Sequence, residues 1–323
     1  MRAGSTMAVI AIAVVAMAIV TVDIIVPVKN RETVQIVVET LMRELAAAKK
    51  IVLGQLLLCD GGSTEPTCLR QIETVSRWKG VRVLQCERSD GAAKFESGFN
   101  KGWVMNQGLA AATAQVVLMT DVDILWTADT LEAIALAAAH HPQLIYSVLN
   151  IRESDPTAVA VRRARYTYRI EPQKTDTLMD TSTDVLVEIC PASVDGKKRP
   201  GCGIVAAQRQ VFESIGGYKE CFVGWGWEDQ DLLIRAQLLG YVVVGLGEVV
   251  HLSHGDERRN KIAKSIEESR DRNIMRCVIG LKRHQLLGDL LRDKSVEDGS
   301  LKSNSAMRNY RNISVRYPSE LGA

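Results

Sequence analysis

The sequence lacks several patterns that would place the protein in a well-marked class. Its 323 residues contain only one long apolar run, so a protein with several membrane spans is excluded. Forty lysines and arginines against 38 acids leave a net charge of +2, which gives no reason to expect a nucleic acid partner. Internal repeats and low-complexity stretches are also lacking, so collagen-like, coiled-coil and wholly disordered chains are excluded.

Two further motifs, one of cysteines and one of glycines, are absent from the sequence. The seven cysteines form no Cys-x-x-Cys pair, and their odd number argues against a fully paired disulfide framework. We therefore expect reduced, mostly buried thiols. The first predicted strand is not followed by Gly-x-Gly-x-x-Gly, which argues against a Rossmann dehydrogenase.

The N-terminal apolar run, residues 7–20, allows three interpretations. It is short for a membrane anchor, since a span needs about 20 residues. Arg2 before it and Ala16-Met17-Ala18 within it fit a signal peptide, whereas Met17 could also start the chain directly before the first strand. Because almost no linker follows the run, we favour a cytoplasmic or peripheral membrane location, with membrane association through residues 7–22 left open. A single-pass membrane anchor is the alternative.

Predicted strands and helices alternate along most of the chain. The alternation indicates βαβ units and therefore an α/β fold with a mainly parallel central sheet flanked by helices. We expect one main domain over residues 21–279, a leader at 1–20, a variable insert at 151–200 and a polar C-terminal tail at 280–323. The strands are predicted at 21–28, 51–59, 81–86 and 115–120, and the helices at 32–50, 67–79, 100–114 and 127–139.

Polar residues follow three of the predicted strands. Asn30 and Arg31 follow the first strand, Asp60 follows the second, and Asp121 and Asp123 follow the fourth. Ligands of such sheets lie beyond the carboxyl ends of the parallel strands, so these side chains are expected at one edge. Their convergence predicts a ligand site at that edge.

A carboxylate pair and a histidine pair are candidates for a metal site. Asp121 and Asp123 stand two apart in an extended turn, so both could face one hard cation whose shell diphosphate oxygens complete. His251 and His254 stand three apart after the strand-like run 241–250 and could share a metal. Aspartate and histidine ligands together suit Mn²⁺ bound with a diphosphate. The alternative is a pair of solvated loop acids and two unrelated histidines.

Two tryptophans and three acids crowd residues 224–231, whose sequence is GWGWEDQD. Tryptophans flanked by glycines are suited to form an apolar wall against the face of a sugar, and a neighbouring carboxylate could bind or deprotonate a hydroxyl group. The simpler alternative for the acids is a helix N-terminus, where the helix dipole favours negative charge. That alternative does not explain the tryptophans.

Together, these segments resemble metal-dependent glycosyltransferases of the GT-A fold. The resemblance is to the β-1,4-galactosyltransferase family and to chondroitin-polymerase-type domains of glycosyltransferase family 2, and it covers about residues 21–275. The segments that carry it, in matching order and spacing, are VPVKNR (26–31), FNKGWVMNQG (99–108), DVDIL (121–125), GCGIVAAQRQVF (201–212), GGY (216–218), GWGWEDQDL (224–232) and HLSH (251–254).

The resemblance implies an inverting enzyme that moves a hexose or N-acetylhexosamine from a UDP-sugar to a glycan or other hydroxyl acceptor, with galactose or N-acetylgalactosamine as a family-level guess. Asp229 would be the catalytic base, and Glu228 would help to position the substrates. Asp123, His251 and His254 would bind Mn²⁺ or Mg²⁺. The other residues that the resemblance assigns to donor binding are Pro27, Arg31, Asp60, Phe99, Lys101, Asp121, Gly203 and Trp225.

The chain departs from the family pattern at two points. Gln230 replaces an acid, and Trp227 replaces a glycine directly before Glu228. We expect the bulky Trp227 indole to narrow the acceptor site. The segment after the metal histidines, residues 252–272, is expected to close over the bound donor. A non-catalytic module that binds carbohydrate or nucleotide sugar on the same fold is the alternative function.

Overall fold

The computed structural model describes residues 19–86, 99–155, 157, 166–173, 183–192, 198–254, 265–290 and 310–322. The strands in these ranges are β1 (Val20–Val28), β2 (Ile51–Asp60), β3 (Val81–Gln85), β4 (Val116–Met119), β5 (Ile124–Leu125), β6 (Leu144–Glu153), β7 (Tyr166–Gln173), β8 (Thr183–Pro191), β9 (Lys198–Gln208), β10 (Val242–His251) and β11 (Tyr310–Arg316). The α-helices are α1 (Val34–Ala47), α2 (Pro66–Ser76), α3 (Lys101–Ala111), α4 (Ala128–His140), α5 (Arg209–Ser214), α6 (Glu228–Leu238) and α7 (Ile266–Lys282).

The main sheet has eight strands in the order β3-β2-β1-β4-β9-β6-β10-β5. Strands β3, β2, β1 and β4 are parallel, β9 is antiparallel to both of its neighbours, and β10 pairs in parallel with β6. Because β9 reverses direction between β4 and β6, the strands β1, β4, β6 and β10 all end at one edge of the sheet. The predicted α/β fold with a mainly parallel central sheet is confirmed.

Helices cover both faces of this sheet. Ile24 and Val26 of β1 pack in a core with α1, α2 and α4, whereas Ile25 packs in a second core with α3, α5 and α6. Neighbouring residues of one strand therefore alternate between the two cores. A strand that is buried on both faces needs a continuous apolar sequence, which is the pattern that predicted β1.

A second, three-stranded sheet has the order β11-β8-β7. Strands β7 and β8 come from the predicted insert at 151–200, and β11 comes from the predicted tail at 280–323. The apolar residues Val185, Val187 and Ile189 of β8 alternate, and they pack against α7 through Ile274 and its neighbours. The sequence analysis missed these three strands because polar and charged residues interrupt their apolar pattern. The predicted boundary between the main domain, which ends at residue 279, and the C-terminal tail, which begins at residue 280, stays a prediction.

Four predicted segments lie partly outside the described residues. The residues not described are 1–18 of the apolar leader, 156, 158–165, 174–182 and 193–197 of the insert, 255–264 of the donor-closing segment, and 291–309 and 323 of the C-terminal tail. In the part of the chain that the structure describes, every helix is too short or too polar to cross a membrane. The location predicted from the leader stays a prediction.

A buried carboxylate joins the strands near the edge opposite the strand ends. Asp23 of β1 is 0% exposed. Its Oδ1 accepts a hydrogen bond from the backbone N–H of Gln55 at 2.8 Å, and its Oδ2 accepts hydrogen bonds from the backbone N–H groups of Thr113 and Ala114 at 2.6 and 2.8 Å. One side chain thus fixes β1 against β2 and against the turn that leads into β4.

We predict that Asp23→Asn lowers the free energy of unfolding by about 2 kcal/mol, because an amide group cannot accept all three hydrogen bonds and leaves buried N–H donors unpaired. Urea denaturation monitored by circular dichroism measures the change. The control is Asp129→Asn in the exposed first turn of α4, for which we expect a loss of less than about 1 kcal/mol. Equal losses in the two variants would contradict the assigned role of Asp23.

Candidate active site

Main-chain pairing brings the aspartate and histidine motifs together at the carboxyl edge of the main sheet. His251 at the end of β10 is paired with Ile124 of β5, directly after the Asp121–Asp123 turn. The backbone N–H of Leu252 donates a hydrogen bond of 2.7 Å to the carbonyl oxygen of Asp123. Two turns that are distant in the sequence are therefore held side by side.

Asp123, His251 and His254 form a cluster with the donor set of a metal site. Asp123 Oδ2 lies 3.5 Å from His251 Nε2 and 3.2 Å from His254 Nε2, and one ligand atom from each residue lies within 4.8 Å of the others. One carboxylate oxygen and two imidazole nitrogens are ligands that Mn²⁺ accepts. The structure therefore places all three predicted metal ligands where they could share one ion.

Glu153 contacts the other ring nitrogen of one candidate ligand, His251. Its Oε2 lies 2.5 Å from His251 Nδ1 and also accepts a hydrogen bond from Ser253 Oγ at 3.0 Å. A carboxylate on one ring nitrogen orients the other toward a metal, which is a common supporting arrangement of metal-bound histidines. The sequence analysis missed Glu153, because its position opposite His251 depends on the register between β6 and β10.

The cluster favours the ionised form of its carboxylate. Burial opposes ionisation of Asp123, but hydrogen bonds from His251 and His254 outweigh burial and hold the pKa of Asp123 well below its usual range. Arg31 adds positive charge nearby, with its Nη1 3.5 Å from His254 Nε2. An anionic aspartate is the form that binds a divalent cation.

A buried ammonium group organises a second cluster. Lys101 Nζ, at the start of α3, lies 2.9 Å from Asp121 Oδ1, 3.0 Å from Asp229 Oδ2 and 4.0 Å from Glu228 Oε1. Burial opposes protonation of this amine, but the charges of Asp121, Asp229 and Glu228 outweigh it and raise the pKa of Lys101 well above its usual value. The ammonium therefore offsets the repulsion among acids from two separate segments.

Glu228 and Asp229 begin helix α6 in a buried environment. Burial, together with the neighbouring charge of Asp229, raises the pKa of Glu228 to about 8. Burial also raises the pKa of Asp229, against the opposing effect of Lys101. Near neutral pH the cluster therefore holds a protonated Glu228 beside Asp229.

Asp229 is fixed by contacts on both carboxylate oxygens. Its Oδ2 accepts a hydrogen bond from Lys101 Nζ, and its Oδ1 accepts one of 3.2 Å from the hydroxyl group of Tyr218. A Cβ atom at Gly203 would lie 2.6 Å from Asp229 Oδ2 and 3.2 Å from Lys101 Nζ, so the glycine leaves room for this pair. The sequence analysis included Gly203 and missed the buried Tyr218, which belongs to the GGY motif.

The two tryptophans have different surroundings. Trp225 lines the cavity, and its backbone N–H donates a hydrogen bond of 3.0 Å to Ser269 Oγ. Trp227 has a φ of 77°, in the left-handed region that favours glycine, and the residue is only 2% exposed. Its indole packs in the core that includes Ile234 and Ile274, and the residue also lines the cavity. That this indole narrows the acceptor site stays a prediction.

One cavity of about 720 Å³ brings nearly all the predicted residues together, and its volume is ordinary for a small-molecule site. Asp60 is the exception, because it lies outside the lining and is 1% exposed. Its Oδ1 accepts a hydrogen bond from the backbone N–H of Ser63 and so closes the turn after β2. The predicted residues in the lining are Pro27, Arg31, Phe99, Lys101, Asp121, Asp123, Gly203, Trp225, Glu228, Asp229, His251 and His254.

The sequence matches a known protein family over residues 23–247, which is more than two thirds of the chain. This family is described as glycosyltransferase like family 2, and the chain belongs to it. The class of protein predicted from the motifs is thereby confirmed. A comparison with curated proteins gives no match.

Solved structures with a similar fold include GalNAc-T7 with UDP, GalNAc and Mn²⁺, at 14% identity, a TM-score of 0.53, and coverage of 83% of this chain and 51% of that chain. This chain thus spans about half the length of GalNAc-T7, and the likeness shows the GT-A fold alone. A mannosyltransferase from Pyrobaculum calidifontis, in complex with GDP-Man and Mn²⁺, has 15% identity and a TM-score of 0.48 over 88% of this chain and 71% of that chain.

We predict that Mn²⁺ raises the melting temperature of the wild type and that EDTA reverses the rise, because the ion binds the folded cluster and not the unfolded chain. At a concentration of one hundred times Kd the stabilisation is about 2.7 kcal/mol. Differential scanning fluorimetry measures the shift.

His254→Ala is expected to lose most of this shift, since it removes a cavity-facing ligand. The control, His140→Ala, removes an exposed histidine at the end of α4 and is expected to keep the shift. A shift of equal size in His254→Ala and the wild type would exclude this cluster as the metal site.

Proposed function

We propose that the protein is a metal-dependent inverting glycosyltransferase that moves a hexose or N-acetylhexosamine from a UDP-sugar to a hydroxyl acceptor. The proposal rests on the observation that two clusters lie in one cavity. One consists of Asp123, His251 and His254, and the other is the carboxylate–ammonium cluster around Lys101. The first cluster suits a divalent cation with a nucleoside diphosphate. The second provides a carboxylate base beside it.

The donor would occupy the part of the cavity near the ends of β1 and β4. Pro27 and Phe99 provide apolar surface for the nucleotide base, and Lys29 and Arg31 provide positive charge for the diphosphate. Bound by Asp123, His251 and His254, Mn²⁺ would stabilise the negative charge that develops on the leaving UDP. UDP-GalNAc and UDP-Gal are the first donors to test, since GalNAc-T7 was solved with UDP and GalNAc.

Asp229 is the proposed general base. Lys101 and Tyr218 favour its ionised form and fix its orientation, so its carboxylate can accept the proton of an acceptor hydroxyl as the oxygen attacks the anomeric carbon. Asp121 and Trp225 would contact the transferred sugar from either side of this base. Glu228, protonated near neutral pH, can donate a hydrogen bond to a substrate hydroxyl group.

Inversion is supported by the number and placement of the acids. Direct displacement needs one base on the acceptor side and a stabilised leaving group on the other side. Asp229 meets the first need and the metal cluster meets the second.

We predict that Asp229→Asn lowers the rate of UDP release about 10²- to 10⁴-fold, the usual effect of losing a general base, while UDP-sugar binding is retained. The assay couples UDP release to acceptor glycosylation for a panel of UDP-sugars with Mn²⁺ or EDTA. Asp129→Asn, an exposed aspartate of α4, is the matched control and is expected to keep wild-type activity.

The outcomes separate the proposed enzyme from the alternative binding module. If UDP is released with one donor, and if both EDTA and the Asp229→Asn substitution abolish that release, the result supports a metal-dependent transferase and identifies its donor sugar. Donor binding without release over a broad acceptor panel would favour the non-catalytic module. Full activity in Asp229→Asn would remove this residue from the mechanism.

We predict that Tyr218→Phe moves the acid limb of the pH profile of kcat/KM to higher pH. The hydroxyl donates to Asp229 and favours its ionised form, so removing it raises the pKa of Asp229. Lys101, Asp121 and Glu228 face the same carboxylate and remain in place. More alkaline conditions are then needed to ionise the base.

The control for Tyr218→Phe is Tyr241→Phe, which removes a hydroxyl that bonds Ser214 away from the cavity. It is expected to leave the profile unchanged. A lower kcat in Tyr218→Phe with an unmoved acid limb would show that Tyr218 supports the fold only.

A further inference from the structure

The cavity has a second limb that the proposed donor contacts leave unused. This inner limb is defined by Ser147, Tyr168, Cys202, Leu233, Gln237 and Val243. Its floor is the main sheet, since Val243 of β10 pairs with Ile145, which stands two residues before Ser147 on β6. Ile145 packs in the core under α6, so Ser147 and Val243 face the same side.

Helix α6 connects the inner limb to the proposed base. Asp229, Leu233 and Gln237 are spaced four residues apart and all line the cavity, so they form one stripe along a single helix face. At a rise of about 1.5 Å per residue the stripe extends about 12 Å from Asp229. The inner limb therefore begins at the base and leads away from the metal cluster.

Strand β7 forms the opposite wall. The hydroxyl group of Tyr168 accepts a hydrogen bond of 2.6 Å from Gln237 Nε2. Burial raises the pKa of Tyr168, which indicates that this wall is poorly solvated. Because β7 belongs to the second sheet, the wall is built from residues outside the segments that carry the family resemblance.

The chemistry of the inner limb differs from that of the donor region. Its six residues carry no formal charge, whereas the region around Lys101 contains several. Entry of an anionic group would cost desolvation energy without a cation to offset it. Within the described residues, Ser147 Oγ and Gln237 Oε1 have no hydrogen-bond partner. These polar atoms lie among the apolar side chains of Leu233 and Val243, a mixture that suits the hydroxyl groups and ring faces of a neutral sugar.

We infer that the inner limb binds an uncharged sugar unit of the acceptor and thereby holds the attacking hydroxyl beside Asp229. The inference rests on the proposed function, because a sugar bound here is an acceptor only if the protein is a glycosyltransferase. Sugar binding in the inner limb can nevertheless be measured without turnover. Ser147, Tyr168 and Gln237 are then the residues that determine acceptor specificity.

The experiment measures binding of simple glycosides to the full chain by saturation-transfer NMR, with and without UDP and Mn²⁺. The probes are methyl glycosides of neutral hexoses and N-acetylhexosamines, the matching glucuronides, and an octyl chain without a sugar. The variants are Ser147→Ala and Gln237→Leu, which remove hydrogen-bonding atoms with little change in volume. Gln210→Leu, on an exposed glutamine of α5, is the matched control.

We expect neutral glycosides to bind the wild type more tightly than glucuronides do, and each variant to lose about tenfold in affinity for them, as the loss of one or two hydrogen bonds implies. Gln210→Leu should match the wild type. The affinity for UDP with Mn²⁺, measured by calorimetry, should be the same in all four proteins, which also shows that the variants fold.

Unchanged glycoside affinity in both variants would overturn the inference, as would equal binding of glucuronides or preferred binding of the octyl chain. These results would leave the proposed transferase intact provided that UDP binds with Mn²⁺. Failure of the wild type to bind UDP would instead count against the proposed function, and the glycoside measurement would still decide the role of the inner limb.

Discussion

The ammonium group of Lys101 is the contact on which the candidate active site depends. It lies between Asp121, which follows β4, and Asp229, which begins α6, and it is within 4.0 Å of Glu228. Two buried carboxylates and the partly exposed Asp121, gathered around one point, would repel one another without a cation. Lys101 therefore allows the turn after β4 and the start of α6 to meet in one cavity. It also opposes the burial that raises the pKa of Asp229 and so favours the ionised form of that carboxylate.

The candidate active site also depends on the order and direction of the strands in the main sheet. Strand β9 runs against β4 and β6, so β10 ends at the same edge as β1 and β4. Pairing of β10 with β5 then sets His251 beside Asp123, and Glu153 on β6 fixes the ring of His251 from behind. The metal cluster is thus a consequence of strand register. Its residues need no strained backbone to meet.

The cavity combines a charged donor region with an uncharged inner limb, and α6 contributes to both. The first turn of this helix carries Glu228 and Asp229, and its next turns carry Leu233 and Gln237. The wall opposite α6 comes from β7, which lies outside the motifs that carry the resemblance. Members of one fold can thereby keep a donor site and vary the acceptor.

The sequence by itself determined the α/β alternation, the parallel strands and the acids and histidines of the two clusters, because apolar periodicity and polar residues at strand ends are local signals. Tertiary structure alone decided the rest. Glu153, Tyr218 and the inner limb depend on which strands and helices are neighbours, and a single sequence does not carry that information. Trp227 illustrates the limit, since its sequence position gave no sign that the residue is largely buried. Its left-handed backbone and the apolar core beside α7 bury most of the indole, while the residue still contributes to the cavity lining.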